Sequence, residues 1–211
     1  MTYYVILVAL LMGTAMCTNG VTTRTLIKDF SCFKSNHYIY AIVRAFLNVG
    51  RVDPNAKETL KVAAAQKLLY ADIYANPCIE CKMTPETTVD VIVDALKETT
   101  YNNFWLVITP NDKWTANTTY NCDYANRFLR QAKKLGKSPG IGSDAPSWEK
   151  VMGKGCEITV DYAGCWWLKH DKEQSFEKFK PFGGFTFPTI KEFDGPSKMC
   201  NMDVDLNFCN C

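Results

Sequence analysis

Strand-forming and helix-forming segments take turns along this chain, and that alternation constrains the fold more than any bulk composition does. The runs "RTLIKDF" (24–30), "YIYAIVRAFL" (38–47), "LLYADIYANPC" (68–78) and "FWLVITP" (104–110) are short and rich in β-branched and aromatic residues. "SPGIGSD" (138–144) is a shorter, glycine-bearing candidate. Helical segments separate them. Residues 53–67 open with Asp53-Pro54 and continue with strong helix formers. Residues 84–99 offer Thr84 as N-cap and Pro85 at the first helical position, with Val89, Ile92, Val93 and Leu96 at helical spacing. Residues 123–136 end in basic residues and a glycine, and residues 145–153 read as a brief helix. In the last third "CWWLKHD", "FPTIKEF" and "DVDLNF" read as strands with little helix between them. Eight strand candidates in this order predict an α/β fold. The form expected is an irregular TIM-like (β/α) barrel of eight mainly parallel strands, helix-poor in its last third.

The N-terminus reads differently from the rest. "MTYYVILVALLMGTAMC" has an apolar run from Tyr3 to Met12 followed by small residues, the layout of a secretory signal peptide, and is too short for a membrane span. Gly13-Thr14-Ala15 places the expected cut after Ala15, leaving residues 16–211 as one barrel domain with no repeats or linker. All ten cysteines survive that cut: Cys17, Cys32, Cys78, Cys81, Cys122, Cys156, Cys165, Cys200, Cys209 and Cys211. Ten cysteines against two histidines is a disulfide composition, not a metal-binding one, so all ten are expected in disulfides. Their connectivity stays open, except that Cys78 and Cys81 read as a local structural bridge. Asn117-Thr118-Thr119 is a glycosylation sequon. A secreted protein, or one held in the lumen of a secretory vesicle, is expected, with no transmembrane segment after cleavage. The net charge of +2 and scattered basic residues argue against nucleic acid as a partner, and neither a cofactor nor a metal is expected.

In a parallel barrel, functional residues collect at the C-terminal ends of strands. Those ends supply Asp29, Arg44, Asp72, Tyr74, Val107, Thr109, Ser143, Asp144, His170, Asp171, Glu192, Asp203 and Asp205. Recurring carboxylates suit glycoside hydrolysis, in which one acid protonates the leaving oxygen and a second charge supports a cationic transition state. Acids at strand ends also serve as loop caps. Trp166 and Trp167 point to opposite faces of their strand, so at most one lines a groove.

Several segments, taken in order, resemble the secreted lysozymes of glycoside hydrolase family 25, in the type found in amoebae and nematodes. They are Asp29-Phe30-Ser31, "YAIVRAF", "YADIYANPCIEC", "FWLVITPNDKW", "CWWLKHD", "FGGFTFPTIKEF" and "CNMDVDLNF". The resemblance implies an irregular β/α barrel that cleaves the linkage after N-acetylmuramic acid in peptidoglycan. It also implies an Asp-x-Glu at the end of the fourth strand, in which Glu is the general acid and Asp supports an intermediate formed with the substrate's N-acetyl group. Further acids on the first and last strands would correspond to Asp29 and Asp205. The central pair is absent: Val107 stands at the Asp position and Thr109 at the Glu position. The family's fifth-strand Tyr and seventh-strand Gln are likewise replaced, by Gly142 and Glu192.

An aliphatic hydroxyl is too weak an acid to replace the Glu, and loss of general acid catalysis alone costs roughly 10²- to 10⁴-fold in rate. The sequence therefore predicts a secreted lysozyme-like protein without catalysis. It would bind peptidoglycan or another amino-sugar glycan, with Tyr74, Trp166, Asp171 and Glu192 as groove candidates, or serve as a structural or interaction protein. The alternative is an active muramidase with a rebuilt acid system drawn from Asp29, Asp112, Asp205 or Glu192. A third reading is a protein partner in a secreted or cell-surface assembly, with the groove closed by Phe or Trp side chains.

Overall fold

The computed structural model describes residues 18–110 and 113–209. The expected signal segment, Cys17, Asp112 and Cys211 lie outside them. In chain order the elements are β1 (Thr18–Thr23), α1 (Ser31–Ser35), β2 (Tyr38–Leu47), β3 (Arg51–Val52), α2 (Ala56–Ala65), β4 (Tyr70–Ala75) and α3 (Pro85–Ala95). They continue as β5 (Asn103–Val107), α4 (Thr118–Lys134), β6 (Ser138–Ser143), α5 (Ala145–Met152), β7 (Gly164–Leu168), β8 (Ile190–Met199) and β9 (Met202–Cys209). Strand β1 pairs with β2 on one side and β9 on the other, so eight strands close into a barrel, with the two-residue β3 added alongside β2. Barrel neighbours from β1 through β8 run parallel, β3 lies antiparallel to β2, and β9 runs antiparallel to both β8 and β1. The barrel is mixed, mainly parallel, and no α-helix follows α5 among the described residues.

Period-two alternation sorts the strand residues into two apolar layers. Outward-facing Ala41, Val43, Ile73, Phe104, Leu106 and Ile141 join the helices in the larger core. Inward-facing Tyr40, Ile42, Tyr74, Trp105, Val107, Trp166 and Ile190 fill the barrel itself. Two indoles fit inside so narrow a barrel because β6 contributes glycines there. A Cβ on Gly140 would lie 2.3 Å from the Trp105 ring, and one on Gly142 would lie 2.7 Å from Trp166. Three of the helices start at side-chain caps: the Thr84 side chain accepts from Thr87 N, Asn117 from Tyr120 N and Asp144 from Ser147 N.

One strand expectation fails. Residues 24–30 are not a strand; β1 lies before them, at Thr18–Thr23. The apolar side chains of Ile27 and Phe30 are fully buried, but the segment's backbone groups bond to side chains instead of to a sheet ladder. Thr25 N donates to Thr23 Oγ1, Ile27 N to Thr59 Oγ1 and Phe30 N to Gln66 Oε1. A second correction concerns the cysteines. Disulfides join Cys32–Cys200, Cys78–Cys81 and Cys122–Cys156, and Cys209 is also disulfide-bonded. Cys165 is a free thiol, buried on the outward face of β7 within the larger core, where it packs as a small apolar side chain.

The glycine requirement is testable. Gly140→Ala drives a methyl into Trp105 and should lower unfolding stability by about 1–3 kcal/mol, read as a lower urea midpoint. An unchanged midpoint would show that the indole does not occupy that space.

Candidate functional site

A pocket of about 510 Å³ opens at the carboxyl ends of the parallel strands. Thr22 (β1), Tyr74 and Asn76 (at and after the end of β4), Val107 and Thr109 (at and after the end of β5), and Trp166 and Leu168 (β7) line it. Lys169 and His170 follow β7, and Glu192 and Asp205 come from β8 and β9. Arg24 and Asp144 complete the rim. The mouth is open, not plugged by aromatic rings; Trp166 lies at its floor, 1% exposed, in a T-shaped contact with Tyr74.

Alternation along β5 explains what meets the pocket. Trp105, Val107 and Thr109 share one face, so the indole sits inside the barrel, Val107 stands above it and Thr109 reaches the rim. The two positions at which the family resemblance implies acids do face the pocket, and both side chains are uncharged.

The remaining carboxylates are engaged. Glu192 accepts from Thr22 Oγ1 at 2.9 Å through one oxygen and pairs with His170 Nε2 at 2.8 Å through the other. Thr22 Oγ1 in turn accepts from Asn207 Nδ2 at 2.8 Å, and Asn207 Oδ1 accepts from Trp166 Nε1 at 2.9 Å. Asp205 forms a salt bridge with Arg24, whose carbonyl accepts from Arg44; Arg44 also pairs with buried Asp53 at 2.7 Å. Asp144 is spent as the N-cap of α5. Burial, with Glu192 nearby, pushes the Asp205 carboxyl up to about 6, against the pull of Arg24 and His170. The hydrogen bond to Glu192 raises the His170 imidazole above its usual value despite partial burial. Burial raises the Tyr74 phenol as well.

Other expected site residues lie elsewhere. Asp29 is on the exposed approach to α1, where it accepts from Ser31 N, Ser31 Oγ and Gln66 Nε2, and it takes no part in the pocket. The β1 residue that does face the pocket is Thr22. Asp171 is drawn to the outer side of β8, bound at 2.7 Å to the fully buried Lys191. Asp72 is enclosed in the barrel wall by Asn103 and Trp105, and burial pushes it up to about 6. Ser143 donates to Ile108 O, and Asp203 pairs with Lys198 on the β8–β9 hairpin. Trp167 faces outward, as alternation requires, against Phe179 and Lys191. Thr22, Arg24 and Asn207 were missed. The β-branched run Val21-Thr22-Thr23 and the i, i+2 relation of Asn207 to Asp205 were the available signals. Among the described residues no cluster of three or more His, Cys, Asp or Glu gathers at metal-binding distance, and no helix is long and apolar enough to cross a membrane.

A closed β/α barrel with a polar pocket at the carboxyl ends of its strands places this chain among the barrel proteins that build their sites on that face. A family model described as lysozyme-like protein 1 matches residues 14–193. A probable GH family 25 lysozyme of Dictyostelium discoideum is 30% identical over 194 residues, covering 89% of this chain and 88% of that protein. The chain belongs to the lysozyme-like proteins of glycoside hydrolase family 25. Among solved structures, the muramidase from Acremonium alcalophilum superposes with a TM-score of 0.72 at 13% identity, covering 92% of this chain and 94% of that one. The modular autolysin LytC from Streptococcus pneumoniae, solved with a synthetic peptidoglycan ligand, gives a TM-score of 0.71 at 12% identity, covering 93% of this chain and 47% of that one.

The pocket's ionisation has a stability signature. Asp205 holds its proton to higher pH folded than unfolded, so between about pH 4 and 6 the native state binds more protons and loses stability as pH rises. His170, raised by Glu192, contributes stability below its unfolded value that fades as pH rises through the folded one. Both effects run the same way. Relative to Asp205→Asn, the wild type should lose about 1–3 kcal/mol across that window, read from denaturant midpoints at a series of pH values. A constant gap would show that the Asp205 carboxyl is not shifted.

Proposed function

We propose that this chain is a lysozyme-like protein without muramidase turnover, which holds an amino-sugar glycan in the mouth pocket. The observation that carries the reading is the inward face of β5, where Val107 and Thr109 occupy the rim positions at which an acid pair would act. Glycosidic cleavage needs a protonated carboxyl aimed at the leaving oxygen. The pocket's Glu192 is fixed between Thr22 and His170, its Asp205 is paired with Arg24, and its Asp144 caps a helix. What remains suits binding: the edges of buried Tyr74 and Trp166 form an apolar floor, and Asn76, Arg24 and His170 offer polar groups at the rim. The peptidoglycan ligand of the structurally similar LytC supports the choice of glycan class. The disulfides support a working location outside the cell or in a secretory lumen, reached through the N-terminal signal segment that precedes the domain beginning at residue 16. Asn117, exposed at the start of α4, is the glycosylation acceptor of this secreted form.

A second reading, an active glycosidase with a rebuilt acid system, rests on Asp205, whose carboxyl at about 6 is partly protonated in mildly acidic medium. Release of reducing ends from purified peptidoglycan separates the two. The wild type should stay at the level of Asp205→Asn at every pH from about 4 to 8, and roughly 10⁴-fold or more below a competent enzyme. The double variant Val107→Asp with Thr109→Glu should gain release if the pocket still seats the muramic linkage. Wild-type release that disappears in Asp205→Asn would overturn the non-catalytic reading.

A further inference from the structure

Beside the mouth lies a smaller pocket of about 140 Å³, lined by Ala145, Pro146, Trp167, Lys178 and Lys180. Asp144 and Lys169 line both pockets, so the smaller one is a side chamber of the larger. Three lysines surround it. Lys169 and Lys180 are exposed and make no ion pair among the described residues. Lys178 is 67% exposed and pairs with exposed Glu173 at 2.6 Å. The carboxylate on the rim, Asp144, is turned to Ser147 N at 2.8 Å. A further lysine, Lys150, lies with Lys180 along the adjoining surface, where the acid is Glu149, itself paired with Lys154 at 3.2 Å.

The chamber is also held in place. Lys169 N donates to Glu192 O at 3.0 Å, which anchors the strand end carrying Lys169 to β8. The Trp167 ring that forms one wall is fixed from behind by Lys191 Nζ, 4.5 Å from its centroid, and by Phe179. The chamber is the smaller of the two and has room for a carboxylate or sulfate group. Three lysines line the chamber against the one carboxylate of Asp144, with Glu173 paired to Lys178, and this positive balance favours an anion there.

Resting on the glycan-binding reading, we propose that the Lys169–Lys178–Lys180 chamber is an anion subsite. It takes the carboxylate or sulfate of an acidic sugar whose neutral neighbour occupies the mouth pocket. The ligand class is then an acidic amino-sugar polymer, in preference to a neutral one.

Titration calorimetry at low and high salt tests this on the full protein. The probes are chitohexaose as the neutral arm, a hyaluronan hexasaccharide as the carboxylate arm and a chondroitin sulfate hexasaccharide as the arm that carries sulfate in addition to carboxylate. Lys178 and Lys180 line the chamber and not the mouth, so Lys178→Ala with Lys180→Ala should weaken the acidic probe roughly tenfold and flatten its salt dependence. Chitohexaose binding should be unchanged. Lys178→Arg with Lys180→Arg should retain acidic binding, which separates loss of charge from loss of fold. Acidic binding equal in wild type and the alanine variant overturns the subsite. Chitohexaose binding with no advantage for either acidic probe also overturns it, while leaving the glycan reading intact. Lysine-dependent acidic binding without chitohexaose binding supports the subsite and removes the neutral-sugar reading of the mouth. Failure of all three probes to bind overturns both.

Discussion

Everything at the mouth depends on how β1 closes the barrel. This six-residue strand pairs parallel with β2 and antiparallel with β9, and its register sets Thr22 opposite Asp205. Because β9, alone among the eight barrel strands, runs against its neighbours, its mouth residues come before its interior ones: Asp205 lies at the rim and Asn207 one layer deeper. The side chains that close the seam on β1, β8 and β9 are polar. Asn207 donates to Thr22, Thr22 donates to Glu192, and Trp166 donates to Asn207, so one chain of hydrogen bonds ties β7, β8, β9 and β1 together below the pocket. Each member is buried or nearly so, and such a network is stable when its members are mutually satisfied.

The uncharged residues on β5 fit this electrostatic setting. Glu192 and Asp205 already share the mouth, and Glu192 adds to the cost of ionising buried Asp205, with Arg24 and His170 as the opposing charges. Two further carboxylates at residues 107 and 109 would add negative charge to a partly desolvated site, which costs several kcal/mol per uncompensated ion. Val107 instead extends the apolar layer of Trp105 and Trp166 upward by one residue.

Local physics made much of the barrel legible. The run "YIYAIVRAFL" is β2 residue for residue, and Thr84-Pro85 marks the start of α3 as its capping chemistry requires. Period two on β5 sent Val107 and Thr109 to one face. The failures have a common cause, which is partners distant in sequence. Residues 24–30 have strand composition, yet Thr59 and Gln66, more than thirty positions away, satisfy their backbone and leave no ladder to join. Asp29 moved out of the site with them. Lys191, placed by β8 on the outer face, claimed Asp171. The Thr22–Glu192 and Asn207–Thr22 bonds join residues 170 and 185 positions apart, and no periodicity within a strand encodes them. Cys165 illustrates the limit of parity arguments: an even total does not require each thiol to find a partner.

Binding and turnover ask different things of such a pocket. An enzyme gains rate only from contacts that strengthen in the transition state, and tight ground-state binding adds nothing once substrate is saturating. A protein that holds its glycan without cleaving it is under no such restriction. Fixed hydrogen-bond partners then become an advantage, because a preorganised pocket loses less conformational entropy when a sugar enters. His170 and Glu192 are held in one geometry by each other and by Thr22, and Arg24 is held by Asp205. Those pairings, which engage both carboxylates, are the same ones that would make the mouth a rigid receptor.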